Sequence, residues 1–262
     1  MKERMFGEGI ARQELNLLFV IDNSGSMNGK NIGAVNNAIR DIISIMPEIQ
    51  EDTADAVIKI SALKFSDKAE WIYKEPKEVG DFKWNDLSTE GGTNLSDAYD
   101  ALSVWLSKKS NGGQMPDIGG VAPIVILMTD GLPTSYDWEK HLDTLKKKGW
   151  FKVALKYALA IGIDTDEAMD VLSKFTGNPE TVLKIYTAEA LRKYRPNGSW
   201  DLLHLSEVLM FFAMDGCASA RQALEEKYQE ILAAMFALKR RPNRIFHELS
   251  DLEQLGLILA VD

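Results

Sequence analysis

The sequence predicts an α/β protein with a doubly wound, mostly parallel sheet that has one antiparallel edge strand, followed by an all-helical C-terminal segment. Three observations lead to this fold class. Short apolar runs of strand length alternate with stretches of helical periodicity. The runs at residues 15–21 and 124–128 are continuously apolar, as in strands that are covered on both faces. After residue 199 no strand pattern occurs in the sequence.

The first half of the chain contains a strand, a helix, a hairpin and a second helix. Residues 15–21 predict a central strand, and residues 30–46 predict a helix that Pro47 is expected to end. Residues 56–65 alternate apolar and polar positions and pair with residues 69–73 in a predicted hairpin at the edge of the sheet. Residues 94–108 predict the second helix, which a glycine-rich loop follows.

The second half continues the alternation of strands and helices. Strands are predicted at residues 124–128, 152–161 and 182–186, and helices at residues 137–147 and 166–175. Strands that are connected through helices run parallel in one sheet, with helices on both faces. The pattern therefore extends a single doubly wound domain across residues 12–195.

The last part of the chain has a different character. Residues 200–212, 222–238 and 243–259 read as wide-faced amphipathic helices, which predicts a helical hairpin or small bundle over residues 199–262. The segment Asn197-Gly198-Ser199 precedes it. Short Gly-Ser segments also occur at engineered junctions, so this helical extension is either native or a fused partner segment.

Composition restricts the classes of function. The chain has 262 residues, 45% of them hydrophobic, and a formal net charge of -9, which disfavours sequence-independent binding to nucleic acid. Its one cysteine, Cys217, has no zinc-type spacing to the three histidines. Neither a leader-like apolar segment nor an apolar run of about 18 residues is present in the sequence. We therefore expect a cytoplasmic protein that does not insert into a membrane.

Five oxygen-bearing residues stand where loops leave predicted strands or enter helices. Asp22, Ser24 and Ser26 form a D-x-S-x-S pattern after the first strand, Thr93 precedes a helix, and Asp130 follows the strand at residues 124–128. Loops at the carboxyl ends of neighbouring parallel strands converge on one crevice. An all-oxygen set of this kind suits a hard divalent cation. Each residue could also serve as an ordinary helix cap or turn residue.

The segments DNSGSM, GGTN and MTDG resemble the von Willebrand factor A (VWA) family, whose metal-ion-dependent adhesion site (MIDAS) has D-x-S-x-S, a distant Thr and a distant Asp in this order. All five positions match, and the segments look most like the small bacterial tellurite-resistance proteins of the TerY type. The resemblance implies a Rossmann-like fold and a Mg²⁺ ion, with Mn²⁺ or Ca²⁺ as alternatives. It also implies that Asp22 and Asp130 act partly through bound waters, and that the ion accepts a carboxylate from another protein.

The resemblance further implies a non-enzymatic, metal-dependent interaction module in a bacterial stress-response or phosphorylation system. A kinase, a phosphatase or an AAA+ ATPase is then the expected partner. One alternative is an adaptor subunit of a MoxR-type or chelatase-type AAA+ ATPase. A metal-dependent hydrolase is a second alternative, which the sequence disfavours: Ser24 stands where a haloacid dehalogenase-type phosphatase needs its second aspartate, and no P-loop is present.

Overall fold

The computed structural model describes residues 12–52, 56–163 and 165–185. The predicted helices at residues 200–212, 222–238 and 243–259 lie outside these residues. The described part contains seven strands and five α-helices. The strands are β1 (Gln13–Asp22), β2 (Ala56–Phe65), β3 (Ala69–Trp71), β4 (Lys77–Glu78), β5 (Ile124–Thr129), β6 (Leu155–Ile161) and β7 (Val182–Ile185). The helices are α1 (Lys30–Asp52), α2 (Leu95–Trp105), α3 (Trp138–Lys146), α4 (Gly149–Val153) and α5 (Asp166–Thr176).

The strands form one sheet in the order β3-β2-β1-β5-β6-β7, and the short β4 also pairs with β2. Strands β2, β1, β5, β6 and β7 are parallel to one another, while β3 and β4 run antiparallel to β2. The predicted mostly parallel sheet with an antiparallel edge is therefore confirmed. Strand β1 lies between β2 and β5, so its carboxyl end adjoins the carboxyl ends of both neighbours.

Strand β1 has the sequence of a central strand because both of its faces are covered. Every residue from Leu15 to Asp22 is buried. Leu18 and Val20 belong to the hydrophobic cluster beneath α2 and α5, which also contains the stacked rings of Tyr99 and Phe175. The alternate residues of β1, such as Phe19, project to the opposite face of the sheet. The apolar run predicted this double burial correctly.

Helix α1 continues beyond Pro47, so the prediction that this proline ends the helix is wrong. Proline removes one helical N–H donor and crowds the preceding turn. Contacts between the end of α1 and the rest of the protein compensate for the lost hydrogen bond and the crowding. Met46 and Ile49 are buried, and the Gln50 side chain donates to the Ala56 carbonyl at 2.9 Å and accepts from the Ile58 amide at 2.6 Å. These contacts hold the last turn against the start of β2.

The strand predicted at residues 152–161 begins later, because residues Gly149–Val153 form the short helix α4. Phe151 is buried in that helix and packs edge-on against Phe175, with ring centroids 5.6 Å apart. The tertiary contact of one aromatic side chain thus overrides the local pattern. In the described ranges, no helix combines the length and the apolar character that crossing a membrane requires.

Candidate metal-binding site

The fold brings four of the five predicted residues into one hydrogen-bonded group at the carboxyl ends of β1 and β5. Asp22 is the last residue of β1, and its Oδ1 accepts from the Ser24 amide at 2.8 Å. The Ser24 and Ser26 hydroxyl oxygens are 3.0 Å apart. The Ser26 hydroxyl also donates to Asp130 Oδ1 at 2.8 Å. Two loops that are 104 residues apart in sequence therefore meet through one serine hydroxyl.

Thr93 lies beside this group and is almost fully buried. Its loop is attached to the segment after β5, because the Thr134 amide donates to the Thr93 carbonyl at 2.9 Å and the Thr93 amide donates to Thr134 Oγ1 at 3.2 Å. A Cβ built on Gly131 would lie 3.6 Å from Thr93 Oγ1 and 3.7 Å from Ser26 Oγ. Since Gly131 has no side chain, the two hydroxyls border the same small space.

Asp22 is a carboxylate that the protein buries completely. Burial raises the pKa of Asp22, and the hydrogen bonds from Thr129 and Ser24 partly oppose that rise. The Thr129 hydroxyl donates to Asp22 Oδ2 at 2.5 Å. A buried carboxylate is costly without compensating partners, so Asp22 is fixed in place by the donors on its two oxygens.

Two residues of this region were not found by sequence reasoning. Asn31, in the first turn of α1, donates to Asp130 Oδ2 at 2.9 Å. Thr129 holds Asp22 and also accepts from the Gly131 amide at 3.2 Å. Thr129 lies level with Asp22, because Ile21 pairs with Met128 and the next residues along are Asp22 and Thr129. Its signal in the sequence is a hydroxyl residue between the apolar run at residues 124–128 and Asp130. No comparable signal exists for Asn31.

The loop after β1 approaches the loop before α2 so closely that glycine is favoured on both sides of the contact. The Gly25 amide donates to the Gly91 carbonyl at 3.0 Å, and a Cβ on Gly25 would lie 3.3 Å from that carbonyl oxygen. Gly91 itself has a φ of 61°, which favours glycine. The Glu90 amide also donates to the Asn23 carbonyl at 2.8 Å. These backbone contacts set the distance between Thr93 and the serine loop.

The donor set fits a hard divalent cation. It consists of three neutral hydroxyls and two carboxylates, which is the oxygen chemistry that Mg²⁺, Mn²⁺ and Ca²⁺ prefer. A softer metal would call for histidine or cysteine ligands. Within residues 12–52, 56–163 and 165–185, no group of three or more His, Cys, Asp or Glu side chains could form another metal centre. We refer to Asp22, Ser24, Ser26, Thr93 and Asp130 as the candidate metal site.

The sheet is doubly wound, and hydroxyls and carboxylates cluster on loops at the carboxyl ends of its central strands. This arrangement defines a class of α/β domain whose binding site is formed by loops. The chain belongs to the von Willebrand factor type A domain family, whose model matches residues 16–195. Domains of this family are known interaction and adhesion modules, are typically non-catalytic, and commonly bind a divalent metal.

The individual proteins that the chain resembles either match only part of it or have low sequence identity to it. The chain is 31% identical over 121 residues to inter-alpha-trypsin inhibitor heavy chain H4 from Bos taurus, a match that covers 45% of this chain and 13% of the bovine protein. Among solved structures, the pilus adhesin SpaC from Lactobacillus rhamnosus GG has a TM-score of 0.55 at 13% identity, covering 79% of this chain and 31% of that one. Proximal thread matrix protein 1 from the mussel byssus has a TM-score of 0.51 at 17% identity, covering 79% and 47%. The solved structures support the fold alone.

Proposed function

We propose that this protein binds another protein through a divalent cation that Asp22, Ser24, Ser26, Thr93 and Asp130 hold. Mg²⁺ is the ion we propose, with Mn²⁺ or Ca²⁺ able to replace it. The observation that carries this proposal is that the Ser26 and Thr93 hydroxyls, from separate loops, border the space beside Gly131, while hydrogen bonds join Ser26 to Ser24 and to Asp130 of a third loop. Helix caps or turns alone do not require these loops to meet.

The residues around the ligands support this role. The Ser24, Ser26 and Thr93 hydroxyls would bind the cation directly, while Asp22 and Asp130 orient hydroxyls and waters, as the family resemblance implies. Thr129 fixes Asp22, and Asn31 fixes Asp130. Because the direct ligands are neutral, the bound cation keeps enough positive charge to attract a carboxylate of a partner protein.

We also propose that the protein is not an enzyme. In the described site, the two carboxylates are the groups available for acid-base chemistry. Asp22 accepts hydrogen bonds from Thr129 and from the Ser24 amide. Asp130 accepts hydrogen bonds from Ser26 and Asn31. A general base must reach a substrate proton directly or through one water. Carboxylates that accept hydrogen bonds on both oxygens suit ion binding better than proton transfer.

For the cellular role, we propose action in a bacterial stress-response system of the tellurite-resistance type or in a phosphorylation system. A kinase, a phosphatase or an AAA+ ATPase is the proposed class of partner. The support for this step is the resemblance of the DNSGSM, GGTN and MTDG segments to such proteins. The partner's essential feature in the proposal is an exposed carboxylate, whichever of these proteins carries it.

The test is a pull-down from a lysate of the source cells with the full chain as bait, in Mg²⁺ and in EDTA. Asp130→Ala removes one of the proposed metal-site carboxylates. Asp143→Ala is the matched control, because Asp143 is an exposed aspartate on α3. We expect a partner that is retained by the unaltered chain and by Asp143→Ala in Mg²⁺ only, and that Asp130→Ala loses. A partner retained equally in EDTA, or equally by Asp130→Ala, would refute the proposal.

A further inference from the structure

Three segments of the loops that form the candidate metal site contain no charged residue. They are residues 23–29 after β1, residues 91–96 around the start of α2 and residues 131–136 after β5. Charged residues make up 26% of the chain, yet none of these segments contains Asp, Glu, Lys or Arg. We call them the neutral loops. Because Asn28 and Thr134, for example, are exposed, the neutral loops present uncharged groups to solvent.

Hydrogen bonds between the neutral loops hold their arrangement. The Gly25 amide donates to the Gly91 carbonyl at 3.0 Å, which joins the first neutral loop to the second. The Thr134 amide donates to the Thr93 carbonyl at 2.9 Å, which joins the third neutral loop to the second. A surface that is arranged before a partner arrives loses little conformational entropy when the partner binds.

Two aspartates contact the neutral loops from outside them. Asp67 Oδ1 accepts from the Gly92 amide at 2.8 Å, and Asp137 Oδ1 accepts from the Ser96 hydroxyl at 3.1 Å. The other carboxylate oxygen of Asp137 lies 3.2 Å from a ring nitrogen of His141. Both carboxylates therefore interact with groups of this protein and stabilise the loops.

Tyr136 is the most exposed aromatic side chain among the residues that the structure describes. It is the last residue of the third neutral loop. Thr134, two residues earlier, is bonded to Thr93 of the candidate metal site, and two residues of chain span at most about 7 Å. The Tyr136 backbone is therefore held beside the candidate metal site, while its side chain is open to solvent.

The other large hydrophobic side chains that the described residues expose lie away from the metal site. Val104 is in the last turn of α2, which begins near the site and leads away from it. Ile118 and Val153 precede the amino ends of β5 and β6, whereas the metal site is at the carboxyl ends. A single exposed hydrophobic residue is common on protein surfaces. An exposed tyrosine beside an uncharged, pre-arranged site is a more specific combination.

An uncharged surface with an exposed tyrosine has the composition of an interface centre. Interface cores are depleted of charged residues, and tyrosine is enriched there and among the residues that contribute most to binding. A charged residue beside the metal would lose its hydration when a partner covered it, at a cost in binding free energy. Neutral loops avoid that cost when apolar groups of the partner cover them.

We propose that the neutral loops and Tyr136 bind apolar side chains that flank the metal-bound carboxylate of the partner, an inference that rests on the function proposed above. Tyr136 packs against one of these side chains. The partner's binding motif is then a single acidic residue between apolar residues, and not a run of acidic or basic residues. The carboxylate attaches the partner to the metal, and the flanking side chains distinguish this carboxylate from others.

The experiment is an NMR titration of the full chain in Mg²⁺ with three peptides. Acetyl-Leu-Asp-Leu amide and acetyl-Ser-Asp-Ser amide carry the same carboxylate between apolar or polar neighbours, and acetyl-Leu-Asn-Leu amide carries no carboxylate. We expect the Leu-Asp-Leu peptide to bind about tenfold more tightly than the Ser-Asp-Ser peptide and to shift the Tyr136 ring signals. The Leu-Asn-Leu peptide should bind at least about tenfold more weakly than the Leu-Asp-Leu peptide.

Tyr136→Ser tests the contribution of the tyrosine. This variant should reduce the preference for the Leu-Asp-Leu peptide to about twofold or less, without changing the affinity for Mg²⁺ or for the Ser-Asp-Ser peptide. Ile118→Ser is the matched control, because it removes a similarly exposed apolar side chain from the loop before β5. The control should retain the full preference.

Three results would overturn the inference: equal affinities for the two aspartate peptides, a preference that Tyr136→Ser leaves intact, or an equal loss of preference in the two variants. If both aspartate peptides still require Mg²⁺, the inference alone fails and the proposed function stands. If the Leu-Asn-Leu peptide binds as tightly as the Leu-Asp-Leu peptide, or if neither aspartate peptide binds more tightly in Mg²⁺ than in EDTA, the proposed function fails and the inference fails with it.

Discussion

At the scale of single residues, the candidate metal site depends on a few side chains whose positions the sequence only partly reveals. The D-x-S-x-S pattern and Asp130 could be read directly, because each follows an apolar strand run. Thr129 could have been inferred from its position between the apolar run at residues 124–128 and Asp130. Asn31 could not, since its contact with Asp130 spans 99 residues and depends on how α1 packs on the sheet. Sequence patterns predict strand ends well and side-chain contacts between distant elements poorly.

Gly131→Ala tests the candidate site without removing any oxygen ligand. The added methyl group would make ordinary contacts of 3.6 Å and 3.7 Å with the Thr93 and Ser26 hydroxyls, so we expect the protein to fold with its unfolding free energy within about 1 kcal/mol of the unaltered value. The methyl group would fill space beside those hydroxyls, and Mg²⁺ affinity by calorimetry should fall at least about tenfold.

The matched control for this variant is Gly33→Ala in α1. A Cβ at Gly33 has no heavy atom within 4 Å, and alanine is the better helix former by about 0.5–1 kcal/mol. This control should keep Mg²⁺ affinity and gain slightly in stability. Unchanged Mg²⁺ affinity in Gly131→Ala would mean that the space between the two hydroxyls is not the metal position.

At the scale of helices and strands, the local sequence pattern and the tertiary contacts can favour different structures for the same segment. The parallel strands follow from their apolar runs, and β1 is buried from Leu15 onward as its sequence indicates. The end of α1 does not follow from its sequence, because buried Ile49 and the Gln50 bridge to β2 outweigh the effect of Pro47. Helix α4 replaces the start of a predicted strand because Phe151 packs into the core. In both cases, a contact with residues that are distant in the sequence determines the local structure.

The packing of α3 on α2 should depend on pH through His141. Its Nδ1 lies 2.7 Å from Asp100 on α2 and its Nε2 lies 3.2 Å from Asp137, which also accepts from Ser96. The hydrogen bond with Asp100, and then that with Asp137, raises the pKa of His141 above its usual 6.5. The stabilisation is therefore complete below the unfolded-state pKa and is lost as pH rises through the folded-state pKa.

The measurement is the unfolding free energy of the unaltered chain minus that of His141→Gln. This difference should be larger at about pH 5.5 than at about pH 8.5, by at most about 1 kcal/mol because solvent screens the exposed aspartates. Asp100→Asn should remove most of the pH dependence. A difference that is the same at both pH values would show that the imidazolium does not hold the two helices together.

At the scale of the whole molecule, the sheet brings the loops after β1 and β5 and the loop before α2 together at the carboxyl ends of its central strands, where they form the candidate metal site. Family membership accounts for the architecture and for an interaction role. The partner's chemistry is then a matter of the residues that surround the site. A carboxylate for the metal is the feature that this chain is proposed to recognise.

The central claim is that the five loop residues bind one divalent cation, and electron paramagnetic resonance with Mn²⁺ tests it most directly. Free Mn²⁺ gives a sharp six-line signal that is lost when the ion binds to protein. We predict loss of the signal up to one Mn²⁺ per chain for the unaltered protein and for Asp143→Ala, recovery on adding excess Mg²⁺, and a largely retained signal with Asp130→Ala. A signal that persists with the unaltered chain, or that Asp130→Ala removes equally well, would contradict the account.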